Sequence, residues 1–96
     1  MNNWPFADPR NVAAFTVRQI MSKEQPILLV VHDNDDGTWQ FLTGSFLETA
    51  DFMLVSLEEI VRVDHTVSEL ADLPLGWQTS RMAIGQPWSR FVSNNG

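Results

Sequence analysis

The feature that most limits the fold is one continuous stretch. A branched apolar run, Ile27 to Val31, ends in the acidic turn Asp33-Asn34-Asp35-Asp36-Gly37, and the chain restarts as Thr38-Trp39-Gln40-Phe41-Leu42-Thr43 before a second glycine, Gly44. A branched run of this kind suits a central strand covered on both faces. Asp and Asn side chains bond their own backbone in tight turns, and Gly37 supplies a positive φ without a steric cost. Beyond the turn the side chains alternate, so Trp39 and Phe41 share one face and Gln40 and Leu42 the other. Trp39 and Phe41 are therefore expected on the core side, with Leu29 or Val31 as cross-strand neighbours.

The flanking segments extend this pattern. Asp8-Pro9 suits a short turn, and Ala13, Phe15 and Val17 then alternate with Ala14, Thr16 and Arg18, which predicts a strand over about 13–21. Ser22 to Gln25 is a polar connection, so this strand is expected to form a hairpin with the 27–31 run. Gly44 to Asp51 reads as a loop with a helical turn around Glu48, followed by a short strand at Phe52 to Val55. Ser56-Leu57-Glu58-Glu59 matches the Ser-x-x-Glu capping box, which starts a helix at Leu57 with Leu57, Ile60 and Val61 on its buried stripe. Asp64 caps a second helix over His65 to Ala71, buried through Val67 and Leu70 and closed by Pro74. Trp77 to Met82 alternates as a strand, and Gly85-Gln86-Pro87-Trp88 is a turn that lays Trp88 back on the body. The expected architecture is a single α+β domain: an N-terminal arm at 1–11, a domain at 12–92 with an antiparallel sheet of four to five strands and two short helices on one face, and a disordered tail at 93–96.

Charge placement says more than its total. The formal net charge is −6. Residues 1–32 balance to +1 and residues 77–96 to +2, whereas residues 33–76 hold ten acidic side chains against Arg62 alone, a balance of −9. Such a field repels phosphate backbones, which excludes nucleic acid as a partner, and steers basic proteins. The absence of cysteine excludes a disulfide framework, a thiolate metal site and a thiol nucleophile. Met1 to Asp8 lacks the basic start and apolar run of a signal peptide, and Ile27 to Val31 is too short to cross a bilayer. A cytoplasmic chain without membrane contact is expected, as a monomer or small homo-oligomer.

No catalytic signature is present. There is no nucleophile elbow, Walker loop or dinucleotide fingerprint. His32 beside Asp33 and His65 beside Asp64 resemble acid–base pairs, but adjacent side chains on a strand or helix do not face each other. Aligning Gly37 with the glycine of a calcium loop puts His32, Asn34 and Asp36 at positions one, three and five and Thr43 at position twelve, so the essential carboxylates are missing. No catalytic residue, metal ligand set or cofactor is assigned. The four tryptophans, Trp4, Trp39, Trp77 and Trp88, are a generous share, and aromatic residues beside acidic loops make good protein-binding surfaces.

The order of the motifs carries a resemblance. Asp35-Asp36-Gly37-Thr38-Trp39-Gln40-Phe41-Leu42-Thr43-Gly44, then Val55-Ser56-Leu57-Glu58-Glu59-Ile60-Val61 with Asp64, then Leu73-Pro74-Leu75-Gly76-Trp77, resembles a family of small uncharacterised bacterial proteins. That family is distantly similar to immunity-type domains of polymorphic toxin systems, which neutralise a toxin by binding it. The resemblance spans residues 12–90 and marks Asp35, Asp36, Trp39, Phe41 and Gly44 as signature positions. Two functions follow as expectations. The first is a non-catalytic protein-binding domain, of immunity type by the resemblance, that uses Asp33, Asp35, Asp36, Trp39 and Trp88 and an acidic face toward a basic protein. The alternative is a small-ligand or divalent-metal-binding domain, or weak enzyme, centred on the 33–36 loop.

Overall fold

The computed structural model describes residues 4–93. Its elements are strand β1 (Ala13–Val17), helix α1 (Arg18–Met21), β2 (Leu29–His32), β3 (Trp39–Leu42), a 3-10 turn at Thr49–Asp51, β4 (Phe52–Ser56), helix α2 (Leu57–Val63), a 3-10 segment at His65–Leu70, β5 (Trp77–Ser80) and β6 (Ser89–Val92). The strands form one six-stranded sheet in the order β4-β1-β3-β2-β5-β6. The chain is a small single-domain α+β fold, but the sheet is mixed and larger than the antiparallel four to five strands expected. β1 pairs with β3 in parallel, and the other neighbours are antiparallel.

The expected hairpin between the first two strands does not form. The strand read over 13–21 ends at Val17, where the chain turns into α1, and Lys23 at φ 65 closes that turn with the Glu24 and Gln25 amides donating to the Gln19 carbonyl. This excursion is long enough to let β3 slip between β1 and β2. The strand with the bulkiest core side chains thereby gains a neighbour on each side, and Trp39 and Phe41 become 2 % and 0 % exposed. The facing partners also differ from expectation: Val30 opposes Phe41 and His32 opposes Trp39, whereas Leu29 and Val31 lie on the reverse face.

β1 buries the smaller side of its alternation. Ala14 sits beside Trp39 and Thr16 donates its hydroxyl to the Phe41 carbonyl, both fully buried, while Phe15 is 40 % exposed on the reverse face. A large indole on the next strand requires a small neighbour, and that requirement sets the face. Against this side pack Ile20 of α1, Leu57 and Ile60 of α2, Val67 and Leu70 of the 3-10 segment, and the loop residues Ile27 and Leu73. Phe6, from the segment before β1, joins the same core.

The capping signals work as the residue types dictate. The Ser56 hydroxyl accepts from the Glu59 amide and starts α2, and the Asp64 carboxylate accepts from the Thr66 amide and starts the 3-10 segment. The turn near Glu48 is a reciprocal capping box with Asp51. β6 replaces what sequence reads as an irregular end, pairing Ser89 to Val92 with β5. Ser93, the first residue of the expected disordered tail, donates its amide to the Gly76 carbonyl, and residues 94–96 of that tail lie outside the described residues. Among the described residues no helix is long and apolar enough to cross a membrane.

Candidate functional site, an acidic tip

The turn between β2 and β3 is closed by its own side chains. The Asp33 amide donates to the Thr38 carbonyl at 2.8 Å and the Gly37 amide to the Asp33 carbonyl at 3.1 Å. Asp33 Oδ1 accepts from the Asp35 amide at 3.0 Å, and Asp36 Oδ1 accepts from both the amide and the hydroxyl of Thr38. The Thr38 hydroxyl, with the amide behind it, holds the Asp36 carboxyl below its ordinary pKa. Gly37 takes φ +75, the left-handed geometry the turn needs. The result is a fixed tip with Asp33 half-buried and Asp35 and Asp36 exposed.

The loop before β5 braces this tip. The Gly76 amide donates to the His32 carbonyl at 2.8 Å, and His32 Nδ1 donates to the Leu73 carbonyl at 2.7 Å, since a carbonyl can only accept. Gly76, at φ +82, lies so close to Asn34 that a Cβ there would meet the Asn34 side chain at 3.4 Å. Leu75 packs beside Gly37 yet is 53 % exposed, which places an apolar side chain next to the three carboxylates. Beneath, the His32 ring stacks on Trp39 with centroids 3.8 Å apart, and the Trp39 indole N–H donates to Asp8 at 2.9 Å.

The structure redistributes the charge of the 33–76 block. Each of the five arginines is paired: Arg10 with Glu58, Arg18 with Asp51, Arg62 with Glu58 and Glu59, Arg81 with Asp64 and Arg90 with Asp72. Four of these arginines come from outside the block, so the helical part of the expected acidic face is largely neutralised. Asp33, Asp35 and Asp36 have no cationic partner among the described residues and stand within four positions of one another, whereas Glu48 and Glu69, the other acidic residues of the block outside these ion pairs, stand singly.

The residues singled out by sequence therefore separate. Asp33, Asp35 and Asp36 meet at the tip. Trp39 lies beneath it in the core and touches no solvent-facing surface. Trp88 is elsewhere, half-buried over the Arg81 guanidinium at 4.1 Å, with its indole N–H unpartnered. His65 is exposed, and Asp64 faces Thr66 and Arg81 instead of it. Among the described residues no three His, Cys, Asp or Glu side chains converge as a metal site. A cleft of about 450 Å³ is lined by Ile20, Pro26, Ile27, Val63 and Ile84 together with Lys23 and Glu24, and takes no residue from the acidic turn.

Sequence reasoning missed Leu75, Asp8 and Arg81. Leu75 carried one signal, an apolar residue held between Pro74 and Gly76 where a turn exposes it. Comparison with models of protein families, with curated proteins and with solved structures finds no match.

Proposed function

We propose that the domain binds a basic protein partner through the acidic tip and catalyses no reaction. Asp33, Asp35 and Asp36 supply the attraction, and Leu75 supplies apolar contact at the same place. The observation that carries this reading is the contrast between the five paired arginines and three adjacent carboxylates without a cation. Carboxylates held in a rigid turn lose little freedom on binding, and complementary charge acts chiefly on the rate of encounter. The motif order resembles that of a family distantly similar to immunity-type domains, which favours a role in which binding neutralises the partner. The tip carries no convergent ligand shell, which weighs against the small-ligand or metal alternative.

The test uses the immobilised domain to capture partners from cell extract at low salt, alongside Asp35→Lys/Asp36→Lys. For the protein captured by the parent, the variant should associate about tenfold more slowly and with a flatter salt dependence. Circular dichroism should show the variant folded. Equal association rates and equal salt slopes would remove the tip from the binding site.

A further inference from the structure

The sheet has two edges, and they are protected differently. β6 carries Arg90, held by Asp72 and by the Glu69 carbonyl, and follows Pro87; a charge and a proline are the usual means of blunting an edge. β4 reads Phe-Met-Leu-Val-Ser, with no charge and no proline, and exposes Phe52 by 45 %, Met53 by 37 % and Leu54 by 57 %. An uncharged, apolar edge whose ladder to β1 runs without a bulge is a template for another strand.

The backbone groups left on that edge are self-complementary. The Leu57 amide donates to the Val12 carbonyl at 2.9 Å, and ladder bonds alternate from that point, so residues 53 and 55 turn their backbone toward β1. Residues 52, 54 and 56 turn theirs outward. Two of those outward groups are already engaged: the Phe52 amide donates to the Thr49 carbonyl, and the Ser56 carbonyl, as the helix N-cap, accepts the first bond of α2. What remains is the Phe52 carbonyl, both groups of Leu54 and the Ser56 amide.

We propose that β4 is a homodimerisation edge, which a second copy extends by adding its own β4 antiparallel about a two-fold axis at Leu54. Leu54 then exchanges two bonds with Leu54 of the other copy. Each Ser56 amide donates to the other copy's Phe52 carbonyl. The two bonds missing from a full ladder are those whose donor and acceptor are engaged within each chain, so no group at the seam is left without a partner. The axis also sets the Phe52 end, where Arg18 is anchored on Asp51, against the Ser56 end, where α2 begins with Glu58 and Glu59. Phe15 and Leu54, paired on the uncovered face, continue across the seam as one apolar strip. An isologous contact of this kind closes at two copies.

The seam buries on the order of 500 Å² per copy, below the roughly 800 Å² of a standard interface, so the dimer is weak and dissociates on dilution. Sedimentation velocity from about 10 μM to about 1 mM should show a monomer passing into a dimer. Because each copy carries −6, the transition should move to lower concentration as salt rises. Leu54→Lys sets two like charges opposite each other at the axis and should weaken association by at least about a hundredfold. Phe91→Lys, on the other edge strand and the same sheet face, should leave it unchanged.

Amide exchange on the unaltered protein gives an independent readout. The Leu54 and Ser56 amides should gain protection with concentration, and the Phe52 amide should not. A monomer throughout the range, a dimer that survives Leu54→Lys, or concentration-independent exchange at Leu54 and Ser56 would each overturn the proposal.

Discussion

Arg81 ties the loop before β2 to the start of the 3-10 segment through three hydrogen bonds. The Arg81 side chain is 1 % exposed. Its Nε donates to the Ile27 carbonyl at 3.0 Å, one terminal nitrogen to the Thr66 hydroxyl at 3.0 Å, and the other to Asp64 at 2.6 Å, while Trp88 covers its face. Arg81→Met removes all of these and leaves the Asp64 carboxylate without its counter-charge. Breaking one side of a buried pair costs about 3–5 kcal/mol, a large share of the roughly 5–15 kcal/mol that holds a domain of this size. At about 4–8 °C per kcal/mol, melting should fall by more than about 12 °C. Asp64→Asn keeps the N-cap, because Asn caps as well as Asp, but strands the arginine instead. Asp64→Asn/Arg81→Met should lose less than the two singles together, with a residual cost of about 1–3 kcal/mol from the unpartnered Ile27 carbonyl. Urea denaturation of the four proteins measures the cycle. Additive losses would refute the pair as the organising interaction. A pH series adds a sign: burial raises the Asp64 pKa, but the Thr66 hydroxyl and amide and then Arg81 outweigh it, so the carboxyl lies below its ordinary value. Its contribution is present above about pH 4 and lost as pH falls through the depressed native pKa, and Arg81→Met should flatten that loss.

Two further outcomes test the frame around the site. Phe41→Ala empties a fully buried position on a central strand and should cost about 3–5 kcal/mol; an unchanged denaturation midpoint would contradict its place in the core. Thermal melts with and without excess chelator should coincide, because the turn is closed by hydrogen bonds to its own backbone; a fall in melting temperature with chelator would show instead that the turn holds a cation.

What sequence reveals here is what short-range chemistry decides. The acidic turn, the Trp39 and Phe41 face, the Ser56 cap and the Asp64 cap all depend on residues within a few positions of one another, and all are present. The position of β1 depends on a partner more than twenty residues away. The small face of Ala14 and Thr16 is buried only because Trp39 and Phe41 arrive beside it, a choice that alternation alone assigns to the larger residues. β6 is a four-residue strand with two polar positions, so its pattern is too faint to stand out from the turn before it. Of the site, the three carboxylates were legible as a group. Their isolation was not, since it depends on Arg10, Arg18, Arg81 and Arg90 returning to neutralise Glu58, Asp51, Asp64 and Asp72.

The burial of Trp39, expected from its alternation with Gln40, leaves it no direct contact with a partner and gives it a supporting part in the site. Its indole is fixed at one side by Asp8, its ring carries His32, and His32 in turn holds the Leu73 carbonyl at the start of the loop that ends in Leu75 and Gly76. The same loop returns a backbone bond to His32 and presses Gly76 on Asn34 within the turn. The carboxylates and Leu75 are therefore braced from the core through two independent connections, one along the β2–β3 hairpin and one through the loop. A partner that meets this tip finds the apolar and charged groups already in fixed relation, so less binding free energy is lost to ordering them. If the tip is the binding site, Trp39 thus acts on it from the core, by positioning groups that it does not itself expose.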